Sequence, residues 1–335
     1  MKAFRKVSIF SIVTIFSLLF ILSSSSIFAF SYSSNNNTSN PITVLAKHQY
    51  AFQIDLSSGY VYWNNNGSQI RRISESGGTV QKVLNSSDIT SFTLSGNFLY
   101  WSTETSVNKI DLSTHETTVL CTENTSEYCL FPTSIQVSGN YVFFAAELST
   151  IVRMDTNGSD LTVLTGNLSA CPTGVTLSGG YVYWSDLCTG QVGKVSFSGQ
   201  NAQLLGPDYC GNGCSYEGFT GIHSITVANS NIYWTYNVSY QNNSYFELVN
   251  SISTSGTQFK TLFKGTSSSG TTTSVSYHND SVIFPYLTES SSKIYSVPAG
   301  GGKLTVLAKV GAIDSEVSGG YLYFSAILQI DKLAL

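Results

Sequence analysis

Charged side chains are scarce in this sequence. They make up 11% of its 335 residues, where about 25% is usual. The formal net charge is only -4, and no basic cluster follows the first few residues, so the chain offers no surface suited to a phosphate backbone. Nucleic acid is therefore not an expected partner. Because few native ion pairs would be lost where carboxylates are protonated, the scarcity of charge also suits an acidic environment.

The short motifs of common catalytic and metal sites are also absent. The sequence contains no G-x-S-x-G, H-E-x-x-H, P-loop or C-x-x-C-H. The segment "DTNGSD" (155–160) resembles part of a calcium loop but offers too few ligands, and its Asn-Gly pair indicates a hairpin turn. We therefore expect no catalytic residue, no metal and no cofactor.

The N-terminal residues have the composition of an export signal. A basic start precedes an uncharged apolar run over residues 7–22. This run is shorter than the about 20 residues that a membrane-spanning helix needs. We expect residues 1–29 to be a signal peptide cleaved near Ala29, with retention as a membrane anchor as the alternative. Residues 30–41 form a flexible Ser/Asn spacer, and residues 42–335 form a single domain. The expected location is secreted or at the extracellular cell surface.

Six cysteines are an even number for an exported chain, which favours disulfides. A zinc site would need C-x-x-C or Cys/His clusters with ligand spacing, and "CGNGC" has neither. The spacing predicts three local pairs: Cys121 with Cys129, Cys171 with Cys188, and Cys210 with Cys214.

An aromatic segment recurs along the chain, as in "GGYVYWSD" at 179–186. Its copies end at Trp63, Trp101, Phe144, Trp184, Trp234, Phe284 and Phe324. The period of about 43 residues is that of a four-stranded propeller blade. Each copy lies among β-rich runs separated by Gly- or Asn-rich turns, with no amphipathic helix pattern, so we predict an all-β fold.

The two ends of the domain predict how the ring closes. The last unit stops after three strands, whereas "ITVLAKH" (42–48) nearly repeats the outer strand "LTVLAKV" (304–310). We therefore expect residues 42–46 to complete the last blade and to remove an exposed sheet edge. The count gives a β-propeller of seven four-stranded blades.

The phrase "YWSD" (183–186), followed by "GQVGKVSFSGQNAQLL", resembles the YWTD repeat of propellers of the low-density-lipoprotein-receptor type. "SGGYVYW" with its following strands is also similar to YWTD-like or DUF5050-like propellers of secreted microbial proteins. The resemblance covers nearly all of residues 42–335. Receptor-type YWTD rings have six blades, so six is the alternative count, and only Asp186 keeps the repeat's aspartate. The resemblance implies a scaffold and no particular chemistry.

Loops from strand 4 to strand 1 and from strand 2 to strand 3 emerge on one face of a propeller. All six cysteines map to these loops, and so do the two largest insertions, 206–221 and 235–247. Loops on a rigid scaffold commonly bind ligands, and we call this side the disulfide-stapled face. Aromatics beside Asn and Gly suit carbohydrate or peptide recognition, although they could instead cover the ends of neighbouring blades. The candidate ligand-binding residues are Tyr209, Tyr216, Phe219, His223, Tyr236, Tyr240 and Asp186.

Sequons for N-glycosylation are frequent in the ring. They occur at Asn66, Asn85, Asn124, Asn157, Asn167, Asn237, Asn242 and Asn279. All except Asn157 and Asn279 map to the disulfide-stapled face, and their use depends on the host.

The sequence thus predicts a secreted or cell-surface binding module for a glycan or an extracellular protein, without enzymatic activity. Two alternatives remain open. One is a secreted hydrolase or lyase with its site at the channel mouth, where His223 could serve as a base beside Glu217 or Asp186. The other is a structural component of a surface layer.

Overall fold

The computed structural model describes residues 41–146, 149–165, 171–208, 224–239, 245–265, 270–288, 291–326 and 328–335. They all belong to one compact unit, Ser33–Leu335. Apart from a single 3₁₀ turn, Glu127–Cys129, their regular structure is entirely β.

The first strand, β1 (Ile42–Lys47), pairs with the end of the chain. The next strands form four antiparallel blades in chain order, counted from the ring axis outward. Blade 1 contains β2 (Ala51–Ser57), β3 (Tyr60–Asn65), β4 (Gln69–Ser74) and β5 (Gln81–Asn85). Blade 2 contains β6 (Ile89–Ser95), β7 (Phe98–Thr103), β8 (Ser106–Asp111) and β9 (Thr117–Thr122). Blade 3 contains β10 (Thr133–Ser138), β11 (Tyr141–Ala146), β12 (Thr150–Asp155) and β13 (Thr162–Val163). Blade 4 contains β14 (Pro172–Ser178), β15 (Tyr181–Asp186), β16 (Val192–Ser196) and β17 (Gln203–Leu205).

Three further blades complete the ring. Blade 5 contains β18 (Ile225–Ala228), β19 (Asn231–Ser239), β20 (Tyr245–Ser253) and β21 (Lys260–Gly265). Blade 6 has a first strand in two pieces, β22 (Thr271–Thr272) and β23 (Ser276–His278), followed by β24 (Ser281–Leu287), β25 (Lys293–Pro298) and β26 (Thr305–Ala308). Blade 7 contains β27 (Ala312–Ser318), β28 (Tyr321–Ala326) and β29 (Gln329–Ala334), with β1 as its outer strand. The predicted seven-bladed β-propeller is confirmed.

Glycine pairs turn the chain between the first two strands of blades 4 and 7. Gly179 and Gly180 have φ of +56° and +79°, and Gly319 and Gly320 have the same values. Two successive positive φ angles define the type I′ turn, whose twist matches that of the strands it joins. Glycine adopts these angles without strain, which explains why "GG" precedes the aromatic strand.

The aromatic strands are buried on both faces because each blade lies between two others. In β15 every residue after Tyr181 is buried, and Trp184 has no exposed surface. The described residues form seven apolar clusters, one at each junction between neighbouring blades. The core is therefore a circle of apolar interfaces between blades.

The closure predicted from the sequence is confirmed. β1 pairs antiparallel with β29, with Ile42 opposite Leu333 and Lys47 opposite Gln329. At the junction of blades 7 and 1, the buried Trp63 belongs to the same apolar cluster as Tyr323. The two ends of the domain thus meet in one sheet, and the seam is packed like the other junctions.

A cation over an aromatic ring recurs in five blades. The cation comes from the third strand and the ring from the start of the second, at 4.3–5.4 Å: Arg72 over Tyr60, Lys109 over Phe98, Arg153 over Tyr141, Lys194 over Tyr181, and Lys332 over Tyr321. Four of these side chains also donate to a backbone oxygen of the next blade: Lys109 to Thr156, Arg153 to Phe197, Lys194 to Thr254, and Lys332 to Glu75. We call this arrangement the cation–aromatic pair. It gives four of the basic residues of the ring a shared role in joining blades.

Candidate functional site

A cavity of about 320 Å³ lies at the ring axis, and all seven blades contribute to its wall. Ten of its fifteen described lining residues have hydroxyl, amide or carboxyl side chains: Gln53, Asn64, Thr90, Ser91, Thr133, Ser134, Gln136, Ser224, Thr273 and Asp314. The other five supply apolar surface or backbone: Phe52, Gly174, Val175, Ile225 and Ile313. Most of these residues lie at or near the beginning of the innermost strand of their blade. The cavity is thus the mouth of the central channel on the face that carries the strand 4 to strand 1 loops.

Much of this wall is fixed by hydrogen bonds between adjacent blades. The Gln53 side chain donates to the backbone oxygen of Phe92 at 2.8 Å and accepts from its N–H at 3.0 Å. The Ser134 hydroxyl donates to the Thr173 carbonyl at 2.6 Å. Because these side chains link adjacent blades as well as line the cavity, their positions in the mouth are fixed before a ligand binds.

One wall hydroxyl has no such role. Thr133 Oγ1 is buried and has no hydrogen-bond partner among the described residues. A buried polar atom of this kind is costly unless something else bonds to it.

Two of the three predicted disulfides are confirmed. Cys121 pairs with Cys129, and Cys171 pairs with Cys188. The first closes a loop between β9 and β10, and the second joins the segment before β14 to the loop after β15. Both lie on the face where the cavity opens. The third predicted pair, Cys210 with Cys214, lies outside the described residues.

Asp186, which ends "YWSD", is buried and ties the loops at the second disulfide together. Its Oδ2 accepts from the backbone N–H of Cys171 at 2.9 Å and from Trp184 Nε1 at 3.4 Å. Its Oδ1 accepts from the N–H and the hydroxyl of Thr189 at 3.1 and 2.9 Å. The carboxylate therefore caps the loop between strands 2 and 3 of blade 4 and also holds the segment that precedes β14.

Tyr236, the other described candidate, is 1% exposed. It packs against blade 4, where a Cβ added to Gly190 would lie 2.4 Å from its Cε1. Both Asp186 and Tyr236 thus support the stapled loops from inside. Tyr209, Tyr216, Phe219, His223 and Tyr240 lie outside the described residues, so ligand binding by the candidate set stays a prediction.

The channel wall also contains a group of acidic residues that was not predicted from the sequence. Asp55 lies on β2, and Asp314 and Glu316 lie on β27, the innermost strand of the neighbouring blade. Asp314 Oδ2 accepts from the N–H of Ile54 at 2.9 Å, and Asp55 Oδ2 accepts from the N–H of Leu94 at 3.0 Å. The carboxylates therefore serve as links between blades 7, 1 and 2.

Loss of hydration in this wall raises the pKa of all three carboxyls. Burial raises the pKa of Asp55 to about 6 and that of Asp314 to about 7, against the opposing effect of their backbone hydrogen bonds. The pKa of Glu316 is raised well above its usual value by burial and by the charges of Asp55 and Asp314. The cluster therefore takes up protons close to neutral pH.

Other features noted in the sequence lie on the opposite face. Residues 155–160 form the turn between β12 and β13, as predicted, and the Ser159 hydroxyl bonds to Asp155 and Asn157. His115 and His278 also lie beside turns of that face.

Five sequon asparagines have exposed side chains, as glycan attachment requires: Asn66, Asn85, Asn124, Asn157 and Asn279. Their use stays a prediction.

Comparison of the chain with protein-family models and with curated protein sequences gives no match. Solved structures do match, and they show the fold alone because identities are low. A chain of the mitotic checkpoint complex aligns with TM-score 0.63 at 13% identity, over 92% of this chain and 98% of that one. The β-propeller domain of Cps50 (Swd1) from Myceliophteria thermophila aligns with TM-score 0.61 at 11% identity, over 88% and 100%.

A third similar structure is the extracellular domain of BT4673 from B. thetaiotaomicron. It aligns with TM-score 0.62 at 10% identity, over 89% of this chain and 40% of that one. The two disulfides here belong to the chemistry of oxidising compartments. In the part of the chain that the structure describes, no helix is long and apolar enough to span a bilayer. The disulfide-bonded propeller fits a secreted binding module.

Proposed function

We propose that this propeller is an extracellular binding module that takes a neutral glycan into the channel mouth on its disulfide-stapled face. The observation that carries the proposal is the cavity wall, in which blades 1, 2, 3, 5 and 6 present hydroxyl or amide side chains. Such groups both donate and accept, as sugar hydroxyls do. A volume of about 320 Å³ is at the lower end of the roughly 300–1,000 Å³ typical of small-molecule sites, so a chain end would enter rather than a folded surface.

Kinship with the YWTD-like and DUF5050-like propellers is part of this proposal. It is supported by "YWSD", in which the Asp186 carboxylate anchors two loops. That role is structural, so the kinship would account for the scaffold and leave the ligand to the loops and the mouth.

A glycan-cleaving enzyme is the second candidate, because the channel wall carries carboxyls with raised pKa values. Glycoside hydrolysis uses two carboxyls, one of them held protonated. Both oxygens of Asp314 are engaged by backbone N–H groups, of Ile54 and Ser315. This engagement favours a structural role, so binding without cleavage is the proposal we adopt.

The test uses paired threonine substitutions. Thr133→Val removes the partnerless hydroxyl of the cavity wall at nearly constant volume. Thr150→Val is the matched control, because Thr150 Oγ1 is likewise buried without a described partner but lies outside the cavity. Glycan-array screening of residues 42–335 would identify a ligand, and calorimetric titration would compare the variants.

We expect Thr133→Val combined with Gln136→Leu to weaken glycan binding about tenfold or more, since each tenfold step is about 1.4 kcal/mol, and Thr150→Val to leave it unchanged. Equal affinity in all variants, or a screen in which only proteins bind, would reject the proposal. Release of shortened sugar products, lost in Asp314→Asn, would establish the enzyme instead.

A further inference from the structure

Blade 5 lacks the cation–aromatic pair. At the position of the aromatic ring it has Asn231, and at the position of the cation, opposite Tyr233, it has Ser251. In blade 4 the corresponding residues are Tyr181 and Lys194. Two large side chains are thus replaced by two small polar ones at the junction with blade 6.

A groove of about 170 Å³ occupies this junction. Its walls come from Asn229, Asn231, Tyr233, Ser251, Gln258, Lys260, Tyr277, Asp280, Ala299 and Gly300. Several of these residues belong to turns between strands 1 and 2 or between strands 3 and 4 of blades 5 and 6, so the groove opens on the face opposite the disulfides.

The polar groups of the groove are already held in place. The Tyr277 hydroxyl donates to Asp280 Oδ1 at 2.5 Å, and Asn229 Nδ2 donates to Tyr277 at 2.8 Å and to Asp280 Oδ1 at 3.4 Å. The Tyr277 ring stacks on Tyr233, with centroids 5.5 Å apart. Among the residues that the structure describes, the bonds to Asp280 all reach Oδ1, so Oδ2 can accept from a ligand.

A lysine already lies in the groove, which argues against a cationic guest. Lys260, on the outer strand of blade 5, donates to the backbone oxygen of Gly300 at 3.2 Å, one residue beyond Ala299, which holds the position of Thr254 in the contact made by Lys194. One positive and one negative side chain then share the groove with three amides and a serine hydroxyl. This balance suits an uncharged ligand with several hydroxyls.

From this geometry we propose that the groove between blades 5 and 6 binds a single neutral hexose ring. It is a second site, separate from the channel mouth. Its volume is below the roughly 300 Å³ at which sites for drug-sized ligands begin, so it admits about one ring. Asp280 Oδ2 accepts from sugar hydroxyls, while the amides of Asn231 and Gln258 donate to them.

The test refills the groove with the kind of residues that five other blades have at these positions. The double variant Asn231→Tyr with Ser251→Lys places the pair of blade 4 into blade 5, and Asp280→Asn removes the acceptor charge while keeping a residue that tolerates the positive φ of +55°. Ser296→Lys is the control, because Ser296 holds the position of Ser251 in blade 6 and does not line the groove.

Protein made in a host without N-glycosylation is titrated with glucose, galactose, mannose and N-acetylglucosamine, and separately with glycine and lysine. Side-chain amide signals of Asn229, Asn231 and Gln258 are followed by NMR. We expect at least one sugar to shift them in the parent chain and in Ser296→Lys. We expect at least a tenfold loss of affinity in the refilled variant and in Asp280→Asn.

The proposal is overturned if no sugar shifts these signals, if the refilled variant binds as well as the parent, or if the amino acids bind and the sugars do not. The cavity variant Thr133→Val with Gln136→Leu separates the two sites. Groove binding should persist in it even if glycan binding at the mouth is lost or was never present.

Discussion

At the scale of single residues, Asp186 shows what the aspartate of "YWSD" does. Its carboxylate satisfies two backbone N–H groups, one indole and one hydroxyl in a buried position. Hydrogen bonds to a charged acceptor contribute about 1.5–3 kcal/mol each, and buried donors left unpaired are costly. Asp186 therefore stabilises the loops that the Cys171–Cys188 disulfide joins.

We expect Asp186→Ala to lower the free energy of unfolding by about 3 kcal/mol or more, measured by urea denaturation. Asp186→Asn keeps one acceptor oxygen and should lose less. Equal stability of the alanine variant and the parent would show that the loops are held by the Cys171–Cys188 disulfide alone.

The acidic channel wall makes stability depend on pH. Burial raises the pKa of Asp55 to about 6 and that of Asp314 to about 7 in this wall, and raises the pKa of Asp331, a buried residue of β29 outside the wall, to about 6. Unfolded aspartates titrate near 3.9. The folded state therefore binds more protons between these limits. Its extra stability is complete below about pH 4 and is lost as pH rises through 6 to 7.

The melting temperature should consequently be higher at pH 5 than at pH 8, by at least about 2 °C. Asp314→Asn keeps an acceptor for the Ile54 N–H without a charge, so it should reduce this difference by raising stability at pH 8. Calorimetry at the two pH values checks both statements. A parent chain that is more stable at pH 8 would contradict them.

The acidic cluster of the channel wall could have been predicted from the sequence. In "AFQIDLS" (51–57) and "AIDSEVS" (312–318) acids stand at channel-facing positions of the innermost strands. The predicted closure makes blades 7 and 1 neighbours, so these acids had to meet. The burial of Tyr236 was less accessible, because it depends on the close approach of Gly190 from another blade.

At the scale of the strand, the cation–aromatic pair is the repeated device that joins blades. Lys194 lies 4.3 Å from the centre of the Tyr181 ring and donates to the Thr254 carbonyl at 2.8 Å. A cation–π contact contributes about 0.5–1 kcal/mol at exposed sites, and a hydrogen bond contributes a similar amount.

Lys194→Met keeps the apolar stem and removes both contacts. We expect it to lower the free energy of unfolding by about 1–2 kcal/mol in urea titrations. Lys82→Met, at an exposed position of β5, is the control and should change it by less than about 0.5 kcal/mol. Equal effects would assign the loss to net charge rather than to the pair.

Strands were predictable to the extent that their pattern repeats. The aromatic strands, their turns and the outer strands such as "LTVL" recur often enough to define a blade. The cation could be read from the sequence as the Lys or Arg of "KIDL" and "IVRMD". Its role in joining blades could not, because that role depends on a carbonyl of the next blade. The split first strand of blade 6 and the two-residue β13 carry no sequence mark that distinguishes them from loops.

At the scale of the whole molecule, the ring places the two ends of the propeller domain side by side. Because Ile42 pairs with Leu333, the beginning of β1 lies next to the end of β29. A short turn could therefore join residue 335 to residue 41.

We expect a circular permutant that begins at Gln49 and ends with residues 41–48, joined after Leu335 by an Asn-Gly turn, to fold to the same ring. A chain of residues 49–335 without that segment leaves the edge of β29 unpaired and should aggregate or lose cooperative unfolding. Circular dichroism and light scattering compare the two. A soluble, cooperatively unfolding truncated chain would contradict the role assigned to β1.

The same pairing has a consequence for biogenesis. The segment that completes the final sheet is the earliest part of the ring to be translated, and its partner is the latest. Until the ribosome has finished, β1 lacks its partner β29 and an apolar blade face is uncovered at each end of the growing row of blades. Contacts so distant in sequence form slowly. A cell that makes this protein must shield those surfaces until the ring closes, and defects in its chaperones should appear first as aggregates of nearly finished rings.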